Sequence, residues 1–259
     1  MSRSATWDTV VVMQFVDHFS GVAADYAAHR PGYPAELFRW LASVAPQNRL
    51  AWDCACGSGQ AARSLADTFA RVVATDASSA QVFSASGPGS VVFAVAPATS
   101  APIADHAADL VTVAQALHWF ANNEFFDEVR RVVTPGGVFA AWTYGLPRIS
   151  NPAVEDSMLR FYSETVGPFW PPERRLVMEG YASVELPMEE LHTPEFPMDA
   201  RWTLPQLLGF LRSWSATARY VNVHGTDPLI PLADRLETLW GNAHSIEVSW
   251  PLTVRAGRL

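Results

Sequence analysis

The stretch Leu50-Ala-Trp-Asp-Cys-Ala-Cys-Gly-Ser-Gly-Gln60 decides the fold of this chain. Its first three residues are apolar and predict a short buried strand, and residues 60–66 have the spacing of a helix. Gly57 and Gly59 lie between them and permit a tight turn. A strand, a glycine turn and a helix in this order bring the backbone close to a ligand, which the N-terminus of the helix then faces.

Acidic residues stand at the ends of the first two predicted strands. Asp53 lies where the first strand ends, and Asp76 follows the second strand, Arg71-Val-Val-Ala-Thr75. In dinucleotide sites, an acidic residue after the second strand hydrogen-bonds the ribose hydroxyls. Asp76 can therefore accept hydrogen bonds from both hydroxyls of a ribose.

Two other nucleotide-binding turns fit this stretch less well. The dinucleotide fingerprint G-x-G-x-x-G needs a third glycine, but Ala61 and Ala62 follow Gly59 here. A P-loop needs a glycine and a lysine before a serine or threonine, and the chain contains no lysine. A glycine turn that binds no ligand is the remaining alternative on this stretch alone.

Four motifs occur in order along the chain: Asp53-Cys-Ala-Cys-Gly-Ser-Gly59, Ala74-Thr-Asp76, Asp109-Leu-Val-Thr-Val-Ala-Gln-Ala-Leu-His-Trp119 and Arg131-Val-Val-Thr-Pro-Gly-Gly137. Together they resemble the class I S-adenosylmethionine-dependent methyltransferases. Within that class the chain is most similar to the small-molecule branch, methyltransferase type 11, which includes trans-aconitate methyltransferase-like proteins. The resemblance implies an α/β fold that is Rossmann-like and doubly wound. Its sheet would be mostly parallel and seven-stranded, with an antiparallel C-terminal edge and a helical cap insertion.

The same resemblance implies S-adenosylmethionine as the cofactor and a set of residues that bind it. Tyr26 and Arg30 would reach the methionine carboxylate, and Ala77 would pack on the adenine. Gln115 follows the fourth predicted strand, where side chains face the ligand crevice, and can pair with the methionine end. The expected cofactor-binding residues are Tyr26, Arg30, Asp53, Ala55, Gly57, Gly59, Asp76, Ala77, Gln81, Ala98, Thr99, Gln115 and Ala116.

The expected reaction is methyl transfer by in-line displacement to a small-molecule acceptor, at oxygen or nitrogen, with a carboxylate among the candidates. His118 is the candidate catalytic base, needed only if the nucleophile is protonated, and its alternative role is structural. Arg148, Arg174, Arg175 or Arg219 could receive an acidic acceptor, although arginines are usually solvated. The residues expected to contact the acceptor are Tyr33, His118, Trp119, Trp142, Trp170 and Trp214.

One structural domain is expected, divided into four regions. Residues 1–34 would form an N-terminal flap over the cofactor, and 35–145 the S-adenosylmethionine-binding core. Residues 146–225 would form a cap that contacts the substrate and can add one strand to the sheet. Residues 226–259 would return to the sheet, with Ser245 to Val254 as one edge strand, because Pro251 favours an edge.

Composition excludes several classes of partner. The net charge of −8 and a pI near 5.3 argue against nonspecific binding to nucleic acid or anionic membranes. No segment has the pattern of a signal peptide or a membrane span, so we expect a cytoplasmic protein. The expected oligomeric state is a monomer or a homodimer. Cys54 and Cys56 are expected to be core residues, with neither a disulfide nor a metal between them.

Two alternative functions remain at this stage. The first is a protein that binds S-adenosylmethionine but is catalytically degenerate, which would leave no room for an acceptor. The second is a nicotinamide-dependent oxidoreductase on a similar sheet. The missing third glycine disfavours the oxidoreductase, as do His118-Trp119 and Pro135-Gly-Gly137.

Overall fold

The computed structural model describes residues 30–259, and its helices and strands are numbered from residue 30. The strands are β1 Leu50–Cys54, β2 Arg71–Asp76, β3 Val91–Val95, β4 Ala108–Ala114, β5 Val133–Tyr144, β6 Arg148–Ile149, β7 Glu189–Glu190, β8 Met198–Trp202, β9 Ile246–Trp250 and β10 Leu252–Arg258. The α-helices are α1 Ala35–Val44, α2 Gln60–Leu65, α3 Ser79–Ser84, α4 Asn123–Val132, α5 Pro152–Arg160, α6 Arg174–Met178, α7 Leu204–Arg212, α8 Ser215–His224 and α9 Leu229–Trp240. Tyr26 and most of the expected flap at 1–34 lie outside the described residues.

Seven strands form one sheet in the order β3-β2-β1-β4-β5-β10-β7. The neighbouring strands β3, β2, β1, β4 and β5 are all parallel to one another. Strand β10 is antiparallel to both β5 and β7. This order confirms the expected Rossmann-like sheet with an antiparallel edge. It also places the carboxyl ends of β1, β2 and β4 side by side, which is where ligands bind in such sheets.

Apolar side chains on the central strands enter two clusters, one on each face of the sheet. Ala51 of β1 packs into a cluster with α1 and α2, whereas the next residue, Trp52, packs into another with α4. Helix α4 begins after Asn122, whose side chain accepts a hydrogen bond from the Phe125 N–H. Because helices cover both faces, the strands are buried on both sides and the sheet is doubly wound.

The turn between β1 and α2 has left-handed backbone at three alternate residues. The φ angles are 56° at Ala55, 53° at Gly57 and 82° at Gly59. Glycine adopts this conformation without steric cost, whereas alanine does not. The Gly57 N–H donates to Oδ2 of Asp76 over 2.9 Å, which fixes the turn to the end of β2. The expected tight turn is therefore present.

A second, three-stranded antiparallel sheet lies in the cap half of the chain and was not predicted from the sequence. Its middle strand is β9, which pairs with β6 on one side and β8 on the other. Helices α5, α7 and α9 pack against it in one apolar cluster that includes Met158, Phe210 and Trp250. The cap thus has a hydrophobic core of its own.

The expectation that Ser245 to Val254 forms a single edge strand is wrong. Pro251 divides this segment into β9 and β10, because proline has no N–H with which to continue a ladder. Strand β10 pairs with β5 from Leu252 to Arg258 and so lies inside the large sheet. The short strand β7 forms the edge instead.

The cysteines and the helices bear on two further features of the chain. Cys54 and Cys56 are both free and buried, as expected for core residues. Among residues 30–259, no helix combines the length and the apolar character needed to cross a membrane.

We predict that Gly59→Ala destabilises the fold more than Gly57→Ala. Both substitutions place alanine in left-handed backbone, at a cost of about 1–2 kcal/mol each. At residue 59, however, the added Cβ would lie 2.7 Å from two ring carbons of Phe93, whereas at residue 57 its nearest neighbour is Gln81 Oε1 at 3.8 Å. Urea unfolding measures the difference.

The control for this prediction is the same pair of substitutions in a Phe93→Ala background. Removal of the ring should make the two glycine substitutions equally destabilising, because only the backbone cost remains. If the excess cost at Gly59 persists without the ring, a clash with Phe93 is not its cause.

Candidate active site

Two adjoining pockets open at the carboxyl edge of the large sheet. The turn pocket is bounded by residues 55–61, between β1 and α2, and by Ala114 at the end of β4. The cap pocket lies between His118-Trp119 and the cap residues Trp170, Arg174, Phe210 and Trp214. Three residues, Arg30, Gln115 and Tyr144, line both pockets, so the pockets meet at these side chains.

The carboxylate of Asp76 lies beside the turn pocket and is held by backbone. Its Oδ2 accepts from the Gly57 N–H over 2.9 Å, and its Oδ1 accepts from the Ser78 N–H over 2.8 Å. A carboxylate oxygen can accept more than one hydrogen bond. The acceptor chemistry of Asp76 and the close backbone approach at the turn fit the ribose of an adenosyl group.

Asp53 is completely buried next to this turn. Its Oδ1 accepts a hydrogen bond from the Thr112 hydroxyl over 2.9 Å, whereas among residues 30–259 no donor forms a hydrogen bond of normal geometry with Oδ2. Burial raises the pKa of the Asp53 carboxyl to about 7, the charge of Asp76 adds to the rise, and the bond from Thr112 opposes it. A buried oxygen without a partner is costly, which favours a role for Asp53 in ligand binding.

Gln115 joins the two pockets and has unusual backbone. Its φ is 60°, a left-handed value that costs a residue with a side chain about 1–3 kcal/mol. Its Oε1 accepts a hydrogen bond from the Thr143 hydroxyl over 3.1 Å, and no residue in the described part of the chain forms a hydrogen bond with its buried Nε2. The amide group thus has donor capacity available at the junction.

Arg30 reaches the same junction from the segment before α1. Its Nη1 donates to the Tyr144 hydroxyl over 3.4 Å, and its Nη2 donates to the Ser213 carbonyl over 3.3 Å. The guanidinium also lies 5.5 Å from the ring centre of Phe210. Contacts with the cap and with β5 therefore hold this cation where the two pockets meet.

His118 lies in the wall of the cap pocket, with Nδ1 3.2 Å from the hydroxyl of Tyr181. Burial, and after it the positive charge of Arg174, lowers the pKa of His118 to about 3. The imidazole is therefore neutral at neutral pH. Arg174 lies over the face of Trp170, with 4.7 Å between the guanidinium carbon and the ring centre.

The structure brings together some of the predicted site residues and separates others. Arg30, Ala55, Gly57 and Gln115 line the turn pocket, and His118, Trp119, Trp170 and Trp214 line the cap pocket. Asp53, Gly59, Asp76 and Gln81 lie close to the turn without forming its pocket wall, whereas Ala77, Ala98, Thr99 and Ala116 lie outside both pockets. Tyr26 is outside the described residues.

Two of the expected acceptor contacts lie outside the cap pocket. Trp142 is fully buried and packs edge-on against Tyr33 and Phe38, so it is a core residue rather than a pocket residue. Tyr33 lines the turn pocket and not the cap pocket. The aromatic composition suggested both residues, but composition does not say which face of a strand a ring occupies.

Sequence reasoning missed three residues that line or support the cap pocket: Tyr144, Tyr181 and Phe210. Tyr144 ends β5, and position at a strand end was a signal that could have found it. Tyr181 and Phe210 lie in the cap, far along the chain from the motifs, where no local pattern marked them.

The fold and the turn with its following acid define a nucleoside-binding α/β protein. A protein-family profile described as a methyltransferase domain matches residues 52–141. A solved structure from Anaeromyxobacter dehalogenans, assigned as a type II methyltransferase, is 43% identical and covers 88% of this chain and 97% of its own, with a TM-score of 0.81. This chain belongs to the class I S-adenosylmethionine-dependent methyltransferases.

Two further relatives agree with this family. A Dictyostelium discoideum protein named as a methyltransferase is 29% identical over 248 residues, which are 92% of this chain and 94% of the relative. A Saccharomyces cerevisiae protein named as an S-adenosylmethionine-dependent methyltransferase is 28% identical over 134 residues, 48% of this chain and 46% of its own. The protein is therefore an enzyme that uses S-adenosylmethionine as its cofactor.

We predict that, without ligand, the wild-type protein loses stability relative to Asp53→Asn as the pH rises from 4.5 to 7.5. The folded-state pKa of Asp53, about 7, lies above the unfolded value, so the folded state holds the proton longer. Over this window the unfolded state ionises first, which stabilises it relative to the folded state by on the order of 3 kcal/mol in total. Asparagine cannot ionise and lacks this dependence.

Urea unfolding of both proteins at several pH values measures this difference. Parallel stability curves for the wild type and Asp53→Asn would show that Asp53 ionises normally in the folded state.

Proposed function

We propose that this methyltransferase methylates a small acidic molecule, whose carboxylate Arg174 binds in the cap pocket. The observation that carries the proposal is the environment of Arg174. Among residues 30–259 no carboxylate forms an ion pair with Arg174, and its buried Nε has no hydrogen-bond partner. The neighbouring Arg175, by contrast, is exposed and pairs with Glu179 over 2.8 Å.

The other polar atoms at this pocket support an acceptor rich in oxygen. Among residues 30–259, Trp170 Nε1 and Arg174 Nε are buried and without hydrogen-bond partners, and both atoms are donors. A ligand that satisfies them must present hydrogen-bond acceptors. A carboxylate does so and also neutralises the guanidinium, which matches carboxylate geometry through two parallel bonds.

The walls of the cap pocket favour an acceptor with an apolar or flat body. The rings of Trp170 and Trp214 have centroids 5.5 Å apart, and those of Phe210 and Trp214 are 5.7 Å apart. Enclosed pockets that combine such walls with a few polar groups are typical small-molecule sites. This arrangement supports a small molecule, rather than a macromolecule, as the methyl acceptor.

The turn pocket is our proposed place for the cofactor. Asp76 would accept both ribose hydroxyls, and Gln115 and Arg30 would donate to the carboxylate at the amino-acid end. When bound, S-adenosylmethionine supplies an electrophilic methyl group on a sulfonium whose leaving group departs neutral. Because the pockets meet at Arg30, Gln115 and Tyr144, the acceptor can be positioned there against the methyl group, with water excluded.

The role of His118 depends on the nucleophile. A carboxylate oxygen is already ionised at neutral pH and needs no base, so its methylation would rely on position alone. A hydroxyl would need an acceptor for its proton, and His118 is the group placed to take it. Its low pKa makes the carboxylate the better match.

The division into flap, core, cap and C-terminal return stays a proposal. Most of the wall of the cap pocket comes from residues between 146 and 225, which supports the assignment of that region to substrate binding. The cytoplasmic location and the monomeric or dimeric state also stay predictions.

We predict that Arg174→Ala raises KM for the acidic acceptor by about tenfold or more. Loss of a hydrogen bond between charged groups costs about 1.5–3 kcal/mol. The affinity for S-adenosylhomocysteine should not change, because Arg174 does not line the turn pocket. Arg175→Ala is the matched control and should leave both quantities unchanged.

The experiment begins with a panel of small acids, each beside its amide and its amine analogue, assayed for release of S-adenosylhomocysteine. Turnover of the acids alone, with the Arg174→Ala effect, supports the proposal. Turnover of amines in preference to acids would refute it, as would an unchanged KM in Arg174→Ala. Release from no member of a broad panel would favour the degenerate alternative.

We also predict that Asp76→Ala weakens binding of S-adenosylmethionine and S-adenosylhomocysteine at least tenfold, an estimate based on the loss of charged hydrogen bonds to the ribose. Calorimetry measures both affinities, with NAD as a ligand that should not bind. Asp67→Ala, at an exposed acid beyond the C-terminal end of α2, is the control.

Asp76→Asn separates two causes of that loss. It keeps an oxygen that can accept a backbone N–H, so it disturbs the glycine turn less than alanine does. An unchanged dissociation constant in both Asp76 variants would mean that the ribose lies elsewhere.

A further inference from the structure

We propose that Tyr162 is a positioning residue for Arg174, and that together with Trp170 it holds the guanidinium in the cap pocket without using its hydrogen-bond donors. Arg174 and Trp170 line the cap pocket, whereas Tyr162 lines neither pocket and acts through Arg174. The proposal rests on the proposed function only for the carboxylate that these donors would bind.

The guanidinium of Arg174 contacts two aromatic rings that also contact each other. Its central carbon lies 4.7 Å from the ring centre of Trp170 and 5.8 Å from that of Tyr162, and the two ring centres are 5.2 Å apart. Both distances to the cation are within the range in which the face of an aromatic ring attracts a positive charge. All three side chains are half-buried, and partial removal from water strengthens this attraction.

Contacts of this kind leave the donors of Arg174 unused. A guanidinium carries five N–H donors, and its attraction to a ring face comes from the charge and needs none of them. Among residues 30–259, no group forms a hydrogen bond or an ion pair with the Arg174 guanidinium. Arg175, by contrast, already donates to the carboxylate of Glu179. Arg174 is therefore held in place and can still bind an anion.

A π-helical turn places Tyr162 at this position. Helix α5 continues directly into the turn, which comprises Phe161–Thr165. A π turn holds more residues than an α turn, so consecutive side chains diverge less, and such turns are frequent at functional sites. Phe161 and Tyr162 both pack against Trp214, with ring centres 6.2 and 5.8 Å from it. Their packing fixes the ring of Tyr162 beside Trp170.

The fixed position of Arg174 has a consequence for affinity. A long side chain that becomes ordered only when a ligand binds loses conformational freedom, which weakens binding. Because Tyr162 and Trp170 order Arg174 in advance, a carboxylate in the cap pocket would bind without this loss. Tyr162 thus contributes to acceptor affinity from outside the pocket.

The test measures the order of the Arg174 side chain by NMR. The full chain is labelled with ¹⁵N-arginine and saturated with S-adenosylhomocysteine, and Arg174→Lys identifies the Nε resonance by its disappearance. We expect an Nε–H order parameter of about 0.85 in the wild type, as in rigid backbone, and below about 0.6 in Tyr162→Leu. Tyr220→Leu, at a cap tyrosine that packs on Phe169 and His224, is the matched control and should leave it unchanged.

A low order parameter in the wild type would overturn the proposal. An unchanged value in a Tyr162→Leu protein that still binds S-adenosylhomocysteine would overturn it as well.

A second series separates the electrostatics of the ring from its shape. Tyr162→Phe keeps the ring and should keep the order of Arg174. Fluorine atoms withdraw electron density from the ring face and change its volume little. Replacement of Tyr162 by difluoro-, trifluoro- and pentafluorophenylalanine should therefore lower the order parameter step by step. Equal order in every member would show that the ring only fills space and would overturn the proposal, even if Tyr162→Leu does not fold.

Benzoate distinguishes a failure of this proposal from a failure of the proposed acid site. This flat carboxylate is titrated calorimetrically into the protein saturated with S-adenosylhomocysteine. Tyr162→Leu should weaken its binding about threefold or more, which corresponds to one cation–π contact, and Arg174→Ala at least as much. Expected order parameters with benzoate binding that is absent, or equal in all variants, would count against the acid site alone. Benzoate binding that needs Arg174, with order independent of Tyr162, would overturn only the positioning role.

Discussion

The hydrogen bond from the Gly57 N–H to the carboxylate of Asp76 is the contact on which the ligand edge depends. The same residue also accepts from the Ser78 N–H through its side chain and from the Ala96 N–H through its carbonyl. Asp76 thus joins the glycine turn, the start of α3 and the end of β3. Of the three left-handed residues in this turn, Ala55 carries a steric cost, and Asp76 gives the turn fixed partners.

The parts of the fold that sequence could predict are those in which local pattern and burial agree. The sheet core, the glycine turn and the acid after β2 all follow from short stretches whose apolar spacing has one interpretation. The second sheet could not be predicted in this way. Strand β6 has only two residues, and the boundary between β9 and β10 at Pro251 lies within a stretch that reads as one continuous strand. Strand parity could have placed Trp142 correctly, since Val138 and Ala140 share its face and its core cluster.

The acceptor side of the site was predictable only in outline. Arg174 and Arg175 are neighbours of the same type, and nothing in the sequence distinguishes the arginine over Trp170 from the one that pairs with Glu179. Tyr181 contacts His118 across 63 positions of the chain, so its role exists only once the cap has folded. The residues proposed to bind the cofactor, by contrast, lie in contiguous motifs, and for that reason the sequence alone could propose them.

The C-terminal segment contributes one strand to each sheet, which has a consequence for the modular exchange of caps between enzymes. Strand β9 is the middle strand of the cap sheet. After Pro251 the chain continues as β10, which pairs with β5 in the large sheet. The cap is thus contiguous in space but interrupted in sequence. A chimera that transplants only residues 146–225 would leave the central strand of the donor's cap behind. A graft that keeps its own hydrophobic core must also carry α9 and β9, residues 229–250.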